Sequence, residues 1–112
     1  MIERNKIQTF VEEVVRQFHP KRVVLFGSHA YGTPNEDSDV DLLVIMPHQE
    51  HSASQAAEIL KRVRAGFPVD LIVRSPQTIR QRLRMDDSFI TEILERGQVL
   101  HEARSLPGGN QT

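Results

Sequence analysis

Apolar residues recur at helical spacing at Ile7, Phe10, Val11, Val14, Val15 and Phe18, which predicts an amphipathic helix over about residues 3–18 with one buried stripe. Its outer face mixes acidic and basic side chains, which suits water better than a lipid surface. His19-Pro20 ends it, because proline drives the preceding residue out of the helical region. The period then changes. Val23-Val24-Leu25-Phe26 is a short continuous apolar run with β-branched character, predicted as a central strand covered on both faces. Gly27 stops it, with room for a short helical turn before the loop marked by Gly32, Pro34 and Asn35.

Val40 to Ile45 reads as a second strand, closed by Pro47. Ser52 or Ser54 then caps a helix whose inner stripe is Ala53, Ala56, Ala57, Leu60 and Val63, broken by Gly66 and Pro68. Val69-Asp70-Leu71-Ile72-Val73 is the third strand. A helical region follows from about Pro76, clearest at Phe89, Ile90, Ile93 and Leu94, with Gly97 placed for a left-handed helix end. Gln98 to His101 is a last short strand. The order helix, strand, strand, helix, strand, helix, strand predicts an α+β (mixed α/β) fold, a small mixed sheet flanked by helices. Residues 1–104 are expected to form one domain and 105–112, polar and Pro/Gly-bearing, a disordered tail.

The chain of 112 residues has no cysteine, which excludes disulfides, thiolate nucleophiles and zinc–thiolate sites. No apolar run approaches membrane-spanning length and no signal-peptide core follows Met1, so a cytoplasmic protein is expected. A net charge of −1 argues against direct nucleic-acid binding. The charge is unevenly spread. Glu36, Asp37, Asp39 and Asp41 crowd one stretch; Lys61, Arg62, Arg64, Arg74, Arg80, Arg82 and Arg84 crowd another. The basic set reads first as solvated helix surface, and more sharply as a face that meets phosphates or an acidic partner.

Candidate chemistry concentrates in Gly27-Ser28, ten residues, then Asp39-Val40-Asp41. In a strand Asp39 and Asp41 project from one face, about 7 Å apart, with Leu43 and Ile45 further along it. Ionised carboxylates are costly in a core, so the start of this strand is expected to protrude at the sheet edge into a cleft. There the pair would be natural ligands for a hard cation such as magnesium. Asp70 interrupts another apolar strand; if the two strands are neighbours, three aspartates could hold two ions about 4 Å apart. The bland alternative for Asp70 is an ion pair with Arg74 or Arg22. Gly27 and Ser28 would offer phosphate oxygens a close backbone approach and a hydroxyl. His48 and His51 form a weak metal pair without further ligands. His19, His29 and His101 read as surface or boundary residues, and Tyr31 either stacks near a nucleotide or covers the loop.

Gly27-Ser28-His29-Ala30-Tyr31-Gly32 followed by Ser38-Asp39-Val40-Asp41-Leu42-Leu43-Val44 resembles the signature of the DNA polymerase β-like nucleotidyltransferase superfamily. The short length resembles its minimal members, the MNT domains, from Val23 to about His101. The resemblance implies the polymerase β-like fold and transfer of AMP from ATP to an acceptor hydroxyl, releasing diphosphate. Gly27 and Ser28 would bind the triphosphate; Asp39, Asp41 and Asp70 would hold two Mg2+ ions, with Asp70 also helping to deprotonate the acceptor. Many such domains pair with a helical HEPN toxin and adenylylate its tyrosine, which implies a HEPN partner and an antitoxin role. His29 and Tyr31 depart from the arginine or other polar residues common in relatives, which leaves base preference open. Relatives that modify small molecules or RNA ends usually add an acceptor domain, so a partner protein or a homodimer is expected to complete the site. The competing readings are a binding module that neutralises its partner by occlusion, and a transferase acting on a small molecule or RNA end.

Overall fold

The computed structural model describes residues 2–34, 38–48 and 51–103. The elements are α1 (Arg4–Phe18), β1 (Arg22–Phe26), α2 (Ser28–Tyr31), β2 (Val40–Ile45), α3 (Ser52–Arg62), β3 (Val69–Arg74), α4 (Pro76–Arg84), α5 (Ser88–Arg96) and β4 (Gln98–Glu102). The strands form one sheet in the order β3-β2-β1-β4, in which β2 and β3 are parallel and the other neighbours antiparallel. This is the mixed α+β architecture expected, with β1 central. The tail over 105–112 lies outside the described residues.

Alternation along the strands divides the core in two. Val23 and Leu25 of β1, Val40, Leu42 and Val44 of β2, and Leu71 and Val73 of β3 face one way, against Ile7, Phe10, Val11 and Val14 of α1 and Ile59 and Val63 of the α3 region. Val24, Phe26, Leu43 and Ile45 face the other way, against Ile79 of α4 and Ile90 and Ile93 of α5. Helices therefore cover both faces, and the two inner strands are nearly all apolar for that reason.

Four local expectations are corrected. The inward stripe of α3 runs through Ala56, Ile59 and Val63, while Ala53, Ala57 and Leu60 face solvent. Burying the larger Ile59 turns the helix away from the alanine stripe, since each buried methylene contributes about 0.8 kcal/mol. Its N-cap is His51, without a side-chain cap, rather than Ser52 or Ser54. The last helical region is two helices, because Asp86 turns left-handed (φ 58°) and Asp87 caps α5 by accepting from Ile90 N at 3.1 Å. Gly97 is extended (φ −70°, ψ 169°) rather than left-handed. It is glycine for space, since a Cβ there would stand 2.4 Å from Ile93 O and 2.6 Å from Val24 Cγ1. No helix among the described residues is long and apolar enough to cross a membrane.

Candidate active site at the start of the parallel strands

Asp41 and Asp70 are side by side, each the second residue of its strand in the parallel β2–β3 pair. Asp41 is opposite Phe26, the last residue of β1, on its other side. Asp39, two residues before Asp41, shares its face. That face is the one carrying Leu43 and Ile45 against α4 and α5, so it passes from acidic to apolar as the sequence predicts. The edge placement is corrected: β2 is an inner strand, and its acidic residues reach solvent at the end of the sheet rather than along its side. Asp39 and Asp70 are exposed and Asp41 is half-buried.

Gly27 shapes the centre of the site. Its φ of 75° and ψ of −161° lie in a region that is essentially glycine's alone. A Cβ on it would also stand 2.1 Å from Asp41 Oδ2, so the carboxylate occupies the space a side chain would need. Gly27 O accepts from Ala30 N at 3.0 Å and Tyr31 N at 3.1 Å, which starts the single turn of α2 at Ser28. The chain thus leaves β1, turns at Gly27 beneath Asp41 and places Ser28 at the same end of the sheet.

Electrostatics mark Asp41 as the stressed member. Its carboxyl is held above the usual carboxylate range, first by burial and then by the like charges of Asp70 and Asp39; His29 opposes the rise. His29 is therefore more than a boundary residue. It is half-buried, and its Nε2 lies 3.1 Å from Ser38 O, which accepts a hydrogen bond when that nitrogen carries the proton. Neither arginine suggested for Asp70 goes to it: Arg22 pairs with Glu102 at 2.7 Å, and Arg74 donates to Ser52 Oγ and Val73 O. Among the described residues no three carboxylate or imidazole groups are already gathered closely enough to hold a metal ion.

Distant elements brace α2, which sequence reading missed. Gln98 at the start of β4 donates to Ala30 O at 2.7 Å, and Arg4 of α1 donates to Gln98 Oε1. The Arg96 guanidinium sits 4.5 Å above the Tyr31 ring, so the ring is held by a cation from α5. Glutamine and arginine flanking Gly97 were the only trace of this in the sequence. His48 and His51 lie at the far ends of the strands, away from the aspartates.

Residues 7–100 match the family model described as "Nucleotidyltransferase domain". A Methanocaldococcus jannaschii protein provisionally named a protein adenylyltransferase, MJ0604, is 28% identical over 104 residues, covering 90% of this chain and 100% of that protein. Among solved structures, one from Sulfolobus solfataricus, provisionally described as a nucleotidyltransferase, superposes with a TM-score of 0.56 at 22% identity, over 85% of this chain and 76% of that one. A toxin–antitoxin structure with AMP-PNP gives 0.55 at 20% identity, over 87% and 74%. A mutant of the toxin–antitoxin pair MntA–HpeT gives 0.54 at 18%, over 87% and 74%. These structural likenesses establish the fold, and the family match over most of the length establishes kinship: the chain belongs to the nucleotidyltransferase domain family.

Proposed function

We propose that this chain is a magnesium-dependent protein adenylyltransferase that moves AMP from ATP to a tyrosine hydroxyl of a helical HEPN toxin, and so acts as that toxin's antitoxin. Residues 1–104 form the transferase domain in this reading, in keeping with the family match over 7–100. The observation that carries the chemistry is the Asp41 carboxylate seated on Gly27, in register with Asp70 and on one face with Asp39. The choice of a protein acceptor follows the likeness to MJ0604 and to the toxin–antitoxin structures.

The donor set fits a hard divalent cation. Three carboxylates share one end of the sheet; burial, and then the like charges of Asp70 and Asp39, raise the Asp41 carboxyl, a burden that a bound cation would lift. Asp39 and Asp70 are exposed, and exposed side chains change rotamer within nanoseconds, so both can close on an ion with Asp41. Asp39, Asp41 and Asp70 would hold two Mg2+ ions, which when bound neutralise charge on the triphosphate.

The rest falls to the chain itself. The backbone N–H groups of the Gly27-Ser28 turn and the Ser28 hydroxyl donate to phosphate oxygens, while the space a Gly27 side chain would take is held by Asp41. Asp70 accepts the proton of the acceptor hydroxyl as its oxygen attacks the α-phosphorus. The bond from that phosphorus to the bridging oxygen breaks, and diphosphate leaves with the electron pair. Incubation of the complex with ATP and magnesium, followed by intact-mass measurement, tests the proposal. One adenylyl group added to the toxin is expected. A toxin that stays bound and neutralised but unmodified would establish occlusion instead.

A further inference from the structure

Two features of the sequence have no part in the aspartate site: the His48/His51 pair and the arginines of the basic stretch. The fold brings members of both together. A cavity of about 660 Å³ is lined by His48, His51, Ser52, Ser54, Arg74, Thr78 and Arg82. Arg74 is the last residue of β3, four beyond Asp70 and on the same face, so the cavity lies about 13 Å along the strand from the candidate catalytic end. Its lining comes from the carboxyl ends of the parallel pair β2 and β3, from the first turn of α3, and from α4, with Thr78 in its first turn and Arg82 in its last. In open sheets this is where parallel strands and their connecting helices leave a crevice suited to ligands.

The lining is one-sided in charge. It holds two guanidinium groups, two imidazoles and three hydroxyls, and no carboxylate among the described residues that line it. Arg74 is half-buried and already anchored, donating through Nη1 to Ser52 Oγ at 3.3 Å and to Val73 O at 2.8 Å. Those bonds occupy one of its three nitrogens and fix the fork, which leaves it pre-organised for a planar, multiply hydrogen-bonded anion contact. Arg82 stands 3.8 Å from Asp87, whose carboxylate also caps α5, and its side chain remains 51% exposed. The α3 helix adds weight: its N-cap His51 makes no side-chain cap, so first-turn N–H groups beside Ser52 and Ser54 remain available to an acceptor.

We infer that this cavity is a second, non-catalytic binding site for a phosphate group, held by Arg74 and Arg82 with the hydroxyls of Ser52, Ser54 and Thr78. A tetrahedral oxyanion matches two arginine forks and three hydroxyls better than a carboxylate does, since it offers acceptors in more directions. The ligand is a small phosphorylated molecule or free phosphate. The inference does not rest on the adenylyltransferase reading, because none of these residues belongs to the aspartate end.

The test is amide NMR of the full chain titrated with inorganic phosphate and, separately, with phenyl phosphate. Saturable shifts are expected at Ser52, Ser54 and Thr78, with Gly27 and Ser28 unmoved. Saturation by phosphate alone assigns the free anion; saturation by both assigns a phosphomonoester. Arg74→Gln and Arg82→Gln should each weaken binding roughly tenfold, the effect of losing one charge-assisted contact of about 1.4 kcal/mol. Because Arg74 also ties β3 to α3, the exposed Arg82 supplies the variant whose spectrum must otherwise stay native. Shifts that stay linear to high concentration, or that an unperturbed Arg82→Gln protein shows undiminished, would overturn the inference.

Discussion

At the residue scale, Gly27 and Asp41 are one feature. The strained glycine exists to make room for a carboxylate that itself prefers not to be there. Gly27→Ala must both leave the glycine-only region and displace Asp41, so it should cost roughly 1–3 kcal/mol in urea unfolding and abolish ATP binding. Asp41 carries the opposite signature. Its folded carboxyl is raised, so between the ordinary carboxylate range and the raised value the folded state binds more protons than the unfolded chain. Stability therefore falls as pH climbs through that window and stays lower above it. Asp41→Asn should raise the urea midpoint at neutral pH, flatten this pH dependence and eliminate transfer. Magnesium should raise the melting temperature of the wild type more than that of the variant. A variant less stable than wild type at pH 7 would show that Asp41 is structural. The aspartate spacing was legible because period-two alternation needs no tertiary information. His29 was not, since nothing local shows that a residue on a one-turn helix will face a carboxylate on the next strand.

At the scale of elements, the strands were readable and the helix faces less so. Continuous apolar runs bounded by glycine and proline leave little choice for β1 and β2. The α3 stripe was misjudged because several small alanines offered a competing face, and only packing on β3 shows that Ile59 prevails. Gly97 is a glycine for another reason than the one its position suggests: the Ile93 carbonyl of α5 and its neighbours Val24 and Leu25 on β1, rather than its own dihedrals, exclude a side chain. The bracing of α2 by Gln98 and Arg96 is likewise a long-range fact. Arg96→Ala removes the cation over Tyr31 and should cost about 0.5–1 kcal/mol of stability while raising KM for ATP more than it lowers kcat. A pure stability loss with unchanged KM would mean that the contact does not shape the turn. Asp87→Ala should cost about 1 kcal/mol by uncapping α5, read by thermal unfolding.

At the scale of the whole molecule, a mixed sheet with helices on both faces carries polar chemistry at each end of its parallel pair. Acidic residues open both strands and basic residues lie beyond their other end, and Asp70 and Arg74 of β3 mark the two poles on one face. This polarity was half legible: two of the three aspartates of the acidic pole lie within one short stretch of chain, with Asp70 on the next strand, whereas the basic pole is assembled from three separate stretches. The adenylyltransferase account stands or falls on the acidic pole. Its most direct test is the intact mass of the partner toxin after incubation with ATP and magnesium, using wild type and the Asp39→Asn/Asp41→Asn variant. The account predicts one added adenylyl group with the wild type and none with the variant, while both still bind the toxin. A toxin left unmodified by the wild type, or modified equally by the variant, would contradict it.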